Sequence, residues 1–447
     1  MLMQTIESDH ATDLATPPGP WLPAVVQTVV FNWWRHRWAP QLRTKFGDVI
    51  SMDIYPWRKV VLLYDPAHIA AMFAAPPSTF DAGEGNRVLA PVMGDRSVFM
   101  VDGADHKRLR KLMTPLFSRS AVRSYLDVVR DLTIAEVDSW PMATPFESHD
   151  RMRELTLDIM SRVTFGLAEG PEFDQLRTLL GRLLDMDLAI LMGLNVPAAR
   201  RFGPWQRAMR LLGEIDELIY RVIARRRGEP DLAQRTDVLS RLLIASDADE
   251  RLADVEIRDQ LVTLLIAGHE TTATGLAWAL HELARDPEAA RTATAAACGD
   301  DTAYLEAMVK ESLRMHPVIF EVTWTLTTDV ELAGFRLAKG ATVMPMIGVM
   351  QNDPTHHPEP DRFRPQRFLG SDIPTSTWAP FGGGARRCVG ANFAMMEAVE
   401  VLRVVLSRRA ITTDRPRPEP ATSKHVAFAP ARGARIIAPP LPPVGVR

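Results

Sequence analysis

A chain of 447 residues, 46% hydrophobic and 24% charged with a formal net charge of -3, is long enough to bury a large core and gives no global electrostatic reason to bind nucleic acid. Two cysteines, Cys298 and Cys388, allow at most one bridge, which fits a reducing, cytoplasmic compartment better than a disulfide-built secreted scaffold. The first residues lack a basic region followed by an apolar core, and the stretch Trp21 to Trp34, interrupted by Pro23, Gln27 and Asn32, is too short to cross a bilayer. No integral membrane association is expected.

Taken in chain order, residues 1–16 read as a flexible N-terminal tail, closed by Pro17-Pro18-Gly19-Pro20, and residues 17–447 as a single domain. Two β-branched runs, Val49–Tyr55 and Lys59–Tyr64, flank Pro56-Trp57 and predict a hairpin within a strand-forming region of about 47–65. From about 66 to 316 apolar residues recur at spacings of three and four, which predicts helices, with breaks at Pro91, Pro115, Gly170-Pro171, Pro197, Gly203-Pro204 and Gly228 to Pro230. Strand-like runs return at 322–350 and near 425–437, on either side of an irregular, Pro- and Gly-rich segment at 352–390. The expected fold class is mostly α with a smaller β-rich lobe, in which strands from the two ends of the chain meet to bury their faces.

The strongest local signal is Phe381-Gly382-Gly383-Gly384-Ala385-Arg386-Arg387-Cys388-Val389-Gly390 (residues 381–390), followed at once by a helical pattern over 391–406. Glycines open backbone conformations closed to other residues and let the main chain approach a flat ligand. The cysteine precedes a helix N-terminus, where amide donors and the dipole favour a thiolate, and two arginines add positive charge. A phosphate-binding loop would carry Lys-Ser or Lys-Thr after its last glycine, and zinc would need further ligands at the right spacing. A buried inert cysteine and a cysteine nucleophile remain open on these residues alone; a thiolate beneath a haem is favoured over both.

The ten residues are similar to the F-G-x-G-x-R-x-C-x-G signature of the cytochrome P-450 superfamily, the haem-thiolate monooxygenases, of the soluble bacterial type. The resemblance extends over nearly the whole chain. It implies the cytochrome P-450 fold and haem b (iron protoporphyrin IX), with Cys388 as axial ligand of the haem iron and Phe381, Gly382, Arg386 and Gly390 around the cofactor. It implies O2 as co-substrate, electrons ultimately from NAD(P)H through a ferredoxin-type redox partner and its reductase, and a monomer acting on a small, mostly apolar organic substrate. Desaturation, coupling or peroxide-driven oxidation at the same haem, and a non-catalytic haem-bound sensor or carrier, are the alternatives.

Residues 254–286 contain no proline and predict a helix of roughly 50 Å. Its middle, Ala267-Gly268-His269-Glu270-Thr271-Thr272, sets small residues, an acid and hydroxyls in an apolar run, which suits close approach of a flat ring or, equally, a crossing point of packed helices. The segment resembles the family motif A-G-x-E/D-T, which implies that Ala267 and Gly268 face the cofactor, Thr271 holds the oxygen being activated and Glu270 feeds protons. His269 falls at the variable position.

Glu311 and Arg314, three apart on a predicted helix, share one face. With Arg367 in Phe363-Arg364-Pro365-Gln366-Arg367-Phe368 they match the family's E-x-x-R and F-x-P-x-R-F pair, implying a buried structural triad. His106 and Arg110, four apart, match H-x-x-x-R and by that match hold haem propionates. Trp324 stands where many bacterial relatives have an arginine, and Glu321 beside it is read as a partner of a propionate or solvent, or else of a substrate amine. Segments that vary in the family supply an apolar, methionine-rich set for the substrate: Leu89, Val92, Met93, Met192, Val318, Ile319 and Val426. Lys107, Arg108, Lys111, Arg386 and Arg387 are expected to form a basic patch for an acidic redox partner.

Overall fold

A computed structural model describes residues 3–5, 15–167, 170–186, 188–248, 252–299, 302–370, 373–374, 376–424 and 427–441. Val426 lies outside them. The chain divides into two compact units that interleave in sequence. One is drawn from residues up to Asn86, Ala307–Cys388 and Ala421–Ala429; the other from Arg87–Glu306, Val389–Pro420 and the residues from Pro430 on. The chain passes from one unit to the other with no linker-like composition, which is why the sequence reads as one domain over 17–447.

The first unit holds the β-rich part. β1 (Met3–Thr5), α1 (Ala24–Phe46), β2 (Val49–Ile54), β3 (Arg58–Leu63), α2 (Pro66–Ala74) and β4 (Phe80–Asp81) follow in order. β2 and β3 pair antiparallel from Val49↔Leu63 to Ile54↔Arg58, the hairpin expected from the two β-branched runs. β3 then runs parallel to Thr342–Pro345, whose other edge pairs with Trp324–Leu326, and β4 closes the sheet. The early hairpin therefore meets strands of the 322–350 run, whereas the run expected near 425–437 does not join this sheet: Ala427–Pro430 pairs with Ala421–Lys424, and Arg435–Ile436 pairs with Phe146–Glu147. Side chains alternate between two cores: Val49, Val61, Leu63, Trp324 and Val343 enter one, while Ile50, Met52, Ile54, Val60, Leu62 and Met344 meet Phe31, Ala39 and Leu42 of α1 in the other. Burial on both faces makes Val60 to Leu63 a continuous apolar run.

Two sequence expectations need correction here. Met3–Thr5, within the expected tail, is a strand paired antiparallel with Val330–Leu332. Three residues carry too weak a pattern to be seen without their partner strand. At the far end of the 322–350 run, Ile347–Met350 is a helical turn, not a strand. All four residues are buried, and a short apolar run does not distinguish the two.

The second unit is helical apart from Phe146–Glu147 paired with Arg435–Ile436. Its spine is Asp254–Arg285, 32 residues, opened by Glu256 accepting from the Ala253 amide at 3.0 Å. Ser148–Phe165 packs along it, and the helix after the cysteine, Ala391–Arg408, packs on Leu126–Asp138 and on the spine. Gly94, at φ +88°, lies against the Asp259 carboxylate, Asp259 accepts from the Arg96 amide at 2.9 Å, and Gln260 bonds Val98 N and Arg96 O. These contacts fix the 94–98 segment to the spine.

In the first unit Glu311 and Arg314 are wholly buried. Arg314 donates to both Glu311 oxygens at 2.8 and 3.1 Å, and to the carbonyls of Gln351 and Pro360. Arg367 Nε reaches Glu311 Oε1 at 3.1 Å, and the Arg364 amide donates to the same oxygen at 3.0 Å. Replacing Arg314 with leucine leaves a buried carboxylate short of its closest cation and is expected to cost about 3–5 kcal/mol. Urea unfolding measures it; a loss below about 1 kcal/mol would contradict the buried-charge account.

Candidate active site

The cysteine loop belongs to the first unit up to Cys388. Gly382 and Gly384 have φ of +64° and +59°, conformations that side chains oppose. A Cβ on Gly383 would lie 2.4 Å from the Phe73 ring, and one on Gly384 2.1 Å from the Phe73 carbonyl oxygen. The last two glycines therefore serve close packing against α2. The Cys388 amide donates to the Phe381 carbonyl at 2.9 Å, closing the loop on itself, and Cys388 is exposed with no disulfide. Phe381 packs edge-on to Trp378, whose indole donates to the Lys310 carbonyl at 3.1 Å. Gly390 is the residue before the helix Ala391–Arg408.

The spine of the second unit is buried along nearly all its length from Glu256 to Ala284, and opens only at Ile266, Ala267, Gly268, Glu270, Thr271 and Gly275. Ala267, Thr271 and Gly275, four apart, define one open face. Thr271 Oγ1 donates to the Ala267 carbonyl at 2.7 Å, which fixes the hydroxyl rotor and leaves its oxygen lone pairs as acceptors. Gly268 has a different use: a Cβ there would lie 2.8 Å from Met160 Cε on the neighbouring helix. It is the crossing residue, so the helix-packing reading holds at Gly268 while Ala267 and Thr271 stay open.

Glu270 is not a solitary acid. Arg153 Nε donates to its Oε2 at 3.0 Å, and His149 Nε2 lies 3.5 Å from Oε1 and 3.2 Å from Thr274 Oγ1. Arg153 also reaches Asp185 at 3.1 Å. Burial alone would raise the Glu270 carboxyl; the bond from His149 and the charge of Arg153 outweigh it and hold it down to about 2. His269, 1% exposed, places Nε2 2.9 Å from the Arg153 carbonyl, so that nitrogen carries the proton. Burial pushes the His269 imidazole down to about 4. A further acid, Glu397, sits fully buried on the helix after the cysteine and faces Thr272. Burial pushes its carboxyl well up despite the Thr272 hydroxyl, and neither oxygen has a well-aligned partner.

Sequence reasoning missed His149, Arg153 and Glu397. His149 and Arg153 repeat the four-residue His/Arg spacing that singled out His106 and Arg110, so the same rule would have found them. Glu397 stands out as an acid in the apolar pattern of 391–406. His106 and Arg110 do share a face of Gly103–Met113, His106 buried and Arg110 half-buried. Arg108, expected in an open basic patch, is instead paired with Glu256. That partner lies 148 residues away, and no local pattern shows it.

Glu321 is also engaged differently from either expectation. Arg35 of α1 donates to it at 3.0 Å, and the Arg35 guanidinium sits 4.5 Å over the Phe428 ring. Phe428 donates its amide to the Val318 carbonyl at 2.9 Å and packs on Phe320. The pair thus ties 318–321, α1 and the 427–430 strand together within one unit. Trp324 is buried, edge-on to Phe73 and Phe80. Among the candidate substrate residues Val92, Met93 and Val318 are buried, Leu89 and Ile319 half-buried and Met192 exposed.

The family model for cytochrome P450 matches residues 17–434. The chain is 41% identical over 423 residues to a Mycobacterium tuberculosis protein named cytochrome P450 135A1, covering 94% of both chains. It is 40% identical over 432 residues to cytochrome P450 135B1 of Mycobacterium bovis, covering 95% of this chain and 92% of that one. Its fold is similar to retinoic acid bound cyanobacterial CYP120A1, with a TM-score of 0.84 at 21% identity over 96% of this chain and 100% of that one. A cytochrome P450DA heme domain gives 0.82 at 24% identity over 96% and 98%. The cysteine loop, the small-residue face of the spine and these likenesses lead to one assignment: the chain belongs to the cytochrome P450 family of haem-thiolate monooxygenases.

Proposed function

We propose that this protein inserts one oxygen atom of O2 into a small, mostly apolar organic molecule at a haem b whose iron is held by Cys388. The observation that carries the reading is the cysteine loop. It presents a thiol, not the hydroxyl, carboxylate or paired histidines of other metal chemistries, on a backbone closed by its own hydrogen bond. The residues present fit the cofactor: a soft sulfur donor for iron, a face of Ala267, Thr271 and Gly275 without bulky side chains, and His106 with Arg110 as propionate partners. Haem bound through a thiolate supplies O2 activation, the sulfur favouring O–O cleavage.

The chain's own residues do the rest. Thr271, its proton turned to the Ala267 carbonyl, offers an oxygen that accepts a hydrogen bond. Glu270, ionised across the working pH range, takes up a proton rather than storing one, and must loosen from Arg153 to pass it on. Glu397, whose carboxyl burial pushes well up, stands beside Thr272. Val92 and Met93, buried in the helical unit, are candidate apolar contacts for the substrate. No Gly-rich dinucleotide fingerprint stands in this sequence, which supports electrons from NAD(P)H arriving through a ferredoxin-type partner and its reductase. Lys107 and Lys111, both exposed, are candidate contacts for that partner. Sparse cysteines suit a cytoplasmic site of action.

Cys388→Ala is expected to abolish the carbon monoxide difference spectrum of the reduced protein, and an unchanged spectrum would refute the ligand assignment. Thr271→Ala should keep the haem but lower product formed per electron consumed by at least about tenfold; unaltered coupling would point to peroxide-driven chemistry. For His269 the folded value near 4 lies below the usual 6.5, so the unfolded chain binds the extra proton between them. Stability from this group is full above pH 6.5 and is lost as pH falls toward 4, by on the order of 3 kcal/mol. Glu270 acts lower: its contribution is present above pH 4.5 and lost as pH falls toward 2. His269→Gln should flatten the upper window only, read from urea unfolding at pH 7, 5.5 and 4.5. The same slope in both proteins would count against it.

A further inference from the structure

Glu270 is held by two donors, and each donor has a second acceptor within reach. Arg153 gives Nε to Glu270 Oε2 at 3.0 Å and a terminal nitrogen to Asp185 at 3.1 Å. His149 Nε2 lies 3.5 Å from Glu270 Oε1 and 3.2 Å from Thr274 Oγ1. Should the carboxylate leave, the guanidinium keeps Asp185 and the imidazole keeps Thr274. Neither buried donor is stranded, so the main obstacle to such a departure is removed.

The imidazole itself is fixed. His149 is wholly buried in the first turn of the helix Ser148–Phe165. Its amide donates to the Gly433 carbonyl at 3.1 Å, and the Ser148 amide and hydroxyl both donate to the Ala434 carbonyl, at 3.3 and 2.8 Å. That turn is closed in its own right, because Glu419 accepts from the amides of Arg432 and Ala434 at 3.0 and 3.3 Å. All of these residues belong to the helical unit. Residues near the end of the chain thus set where His149 stands beside the spine.

The tautomer follows from the neighbours. An ionised carboxylate only accepts, so the ring nitrogen that faces Glu270 carries the hydrogen. The other nitrogen, Nδ1, is buried with no protein partner among the described residues, a setting that suits a bare lone pair over an N–H. No side chain stands at Nδ1 to replace a proton given up at Nε2. His149 therefore holds the carboxylate and does not relay protons to it. Arg153 on its own helix, and His269 with Nδ1 3.9 Å from Glu270 Oε2, are the other cationic or titratable groups at this acid.

We propose that His149 is a positioning residue for Glu270: its Nε2–H parks the carboxylate against Arg153 and, by turning to Thr274, lets it swing out with a proton and return to the same place. The inference rests on the proton-carrying role given to Glu270 above. The first test is nitrogen NMR of the haem-loaded, reduced, carbon monoxide-bound protein with isotopically labelled histidine, the His149 signals being those lost in His149→Gln. A protonated Nε2 that shifts in Glu270→Gln and in Thr274→Val supports the assignment. A bare Nε2, or one indifferent to both changes, would overturn it. The second test is product formed per electron consumed. His149→Leu, which fills the space without a donor, should lower it at least about threefold while substrate still binds with the same midpoint. His149→Gln, which again offers an N–H, should restore it to within about twofold of the parent. No loss in the leucine variant, or equal loss in both, would reduce His149 to packing and defeat the proposal. Thr271→Ala measured alongside keeps the two readings apart. If it leaves coupling intact, the reaction reading fails, and the nitrogen spectrum alone decides for or against His149.

Discussion

Glu311 carries its charge with no access to water, and the segment that leads into the cysteine loop is tied to that one carboxylate. Arg314 sits on the same helix and supplies two donors, Arg367 arrives from 53 residues further on, and the Arg364 amide is a third donor to Oε1. Because Arg314 also donates to the Gln351 and Pro360 carbonyls, the ion cluster organises a stretch that has little regular structure of its own. A Pro- and Gly-rich chain can be ordered this way where periodic hydrogen bonding is absent, since a buried charge tolerates few arrangements. The loop that follows inherits its place from Phe73 of α2, whose ring and carbonyl contact Gly383 and Gly384.

The helical unit solves a related problem differently. Its spine must be buried for cohesion yet open where chemistry is needed, and it does both by residue size. Large side chains seal the spine before 266, Met160 fills the notch at Gly268, and Ala267, Thr271 and Gly275 keep the other side clear. Acid and hydroxyl are then split by direction: adjacent in sequence, about 100° apart around the axis, Glu270 meets Arg153 and His149 while Thr271 bonds back to its own helix. Two carboxyls here are pushed in opposite directions, Glu270 down by the bond from His149 and the charge of Arg153, Glu397 up by burial.

What could be read from the sequence follows the range of the interactions. The hairpin, the helical run, the glycine loop and the pair Glu311 and Arg314 rest on neighbours within a few residues, where periodicity and turn chemistry act. Arg367 was placed only through resemblance. Long-range partners stayed hidden: Arg153 for Glu270, Arg35 for Glu321, Glu256 for Arg108, and the strand Val330–Leu332 for Met3–Thr5. Gly268 shows the same limit from the other side. Its smallness was legible, but whether a cofactor or a methionine occupies the space is decided by a helix more than a hundred residues away.

The interleaving of the two units bears on how this chain is made. The order of synthesis sets the hairpin β2–β3 waiting for Thr342–Pro345, and α1 waiting for Glu321 and Phe428. The first 86 residues thus leave the ribosome as a half-built sheet with bare edges, and remain so until most of the polypeptide has followed. The thiol at 388 emerges later still, beyond five-sixths of the length, with the helix behind it yet to come. A nascent intermediate with unpaired strands and exposed valines would be a natural client for a holding chaperone.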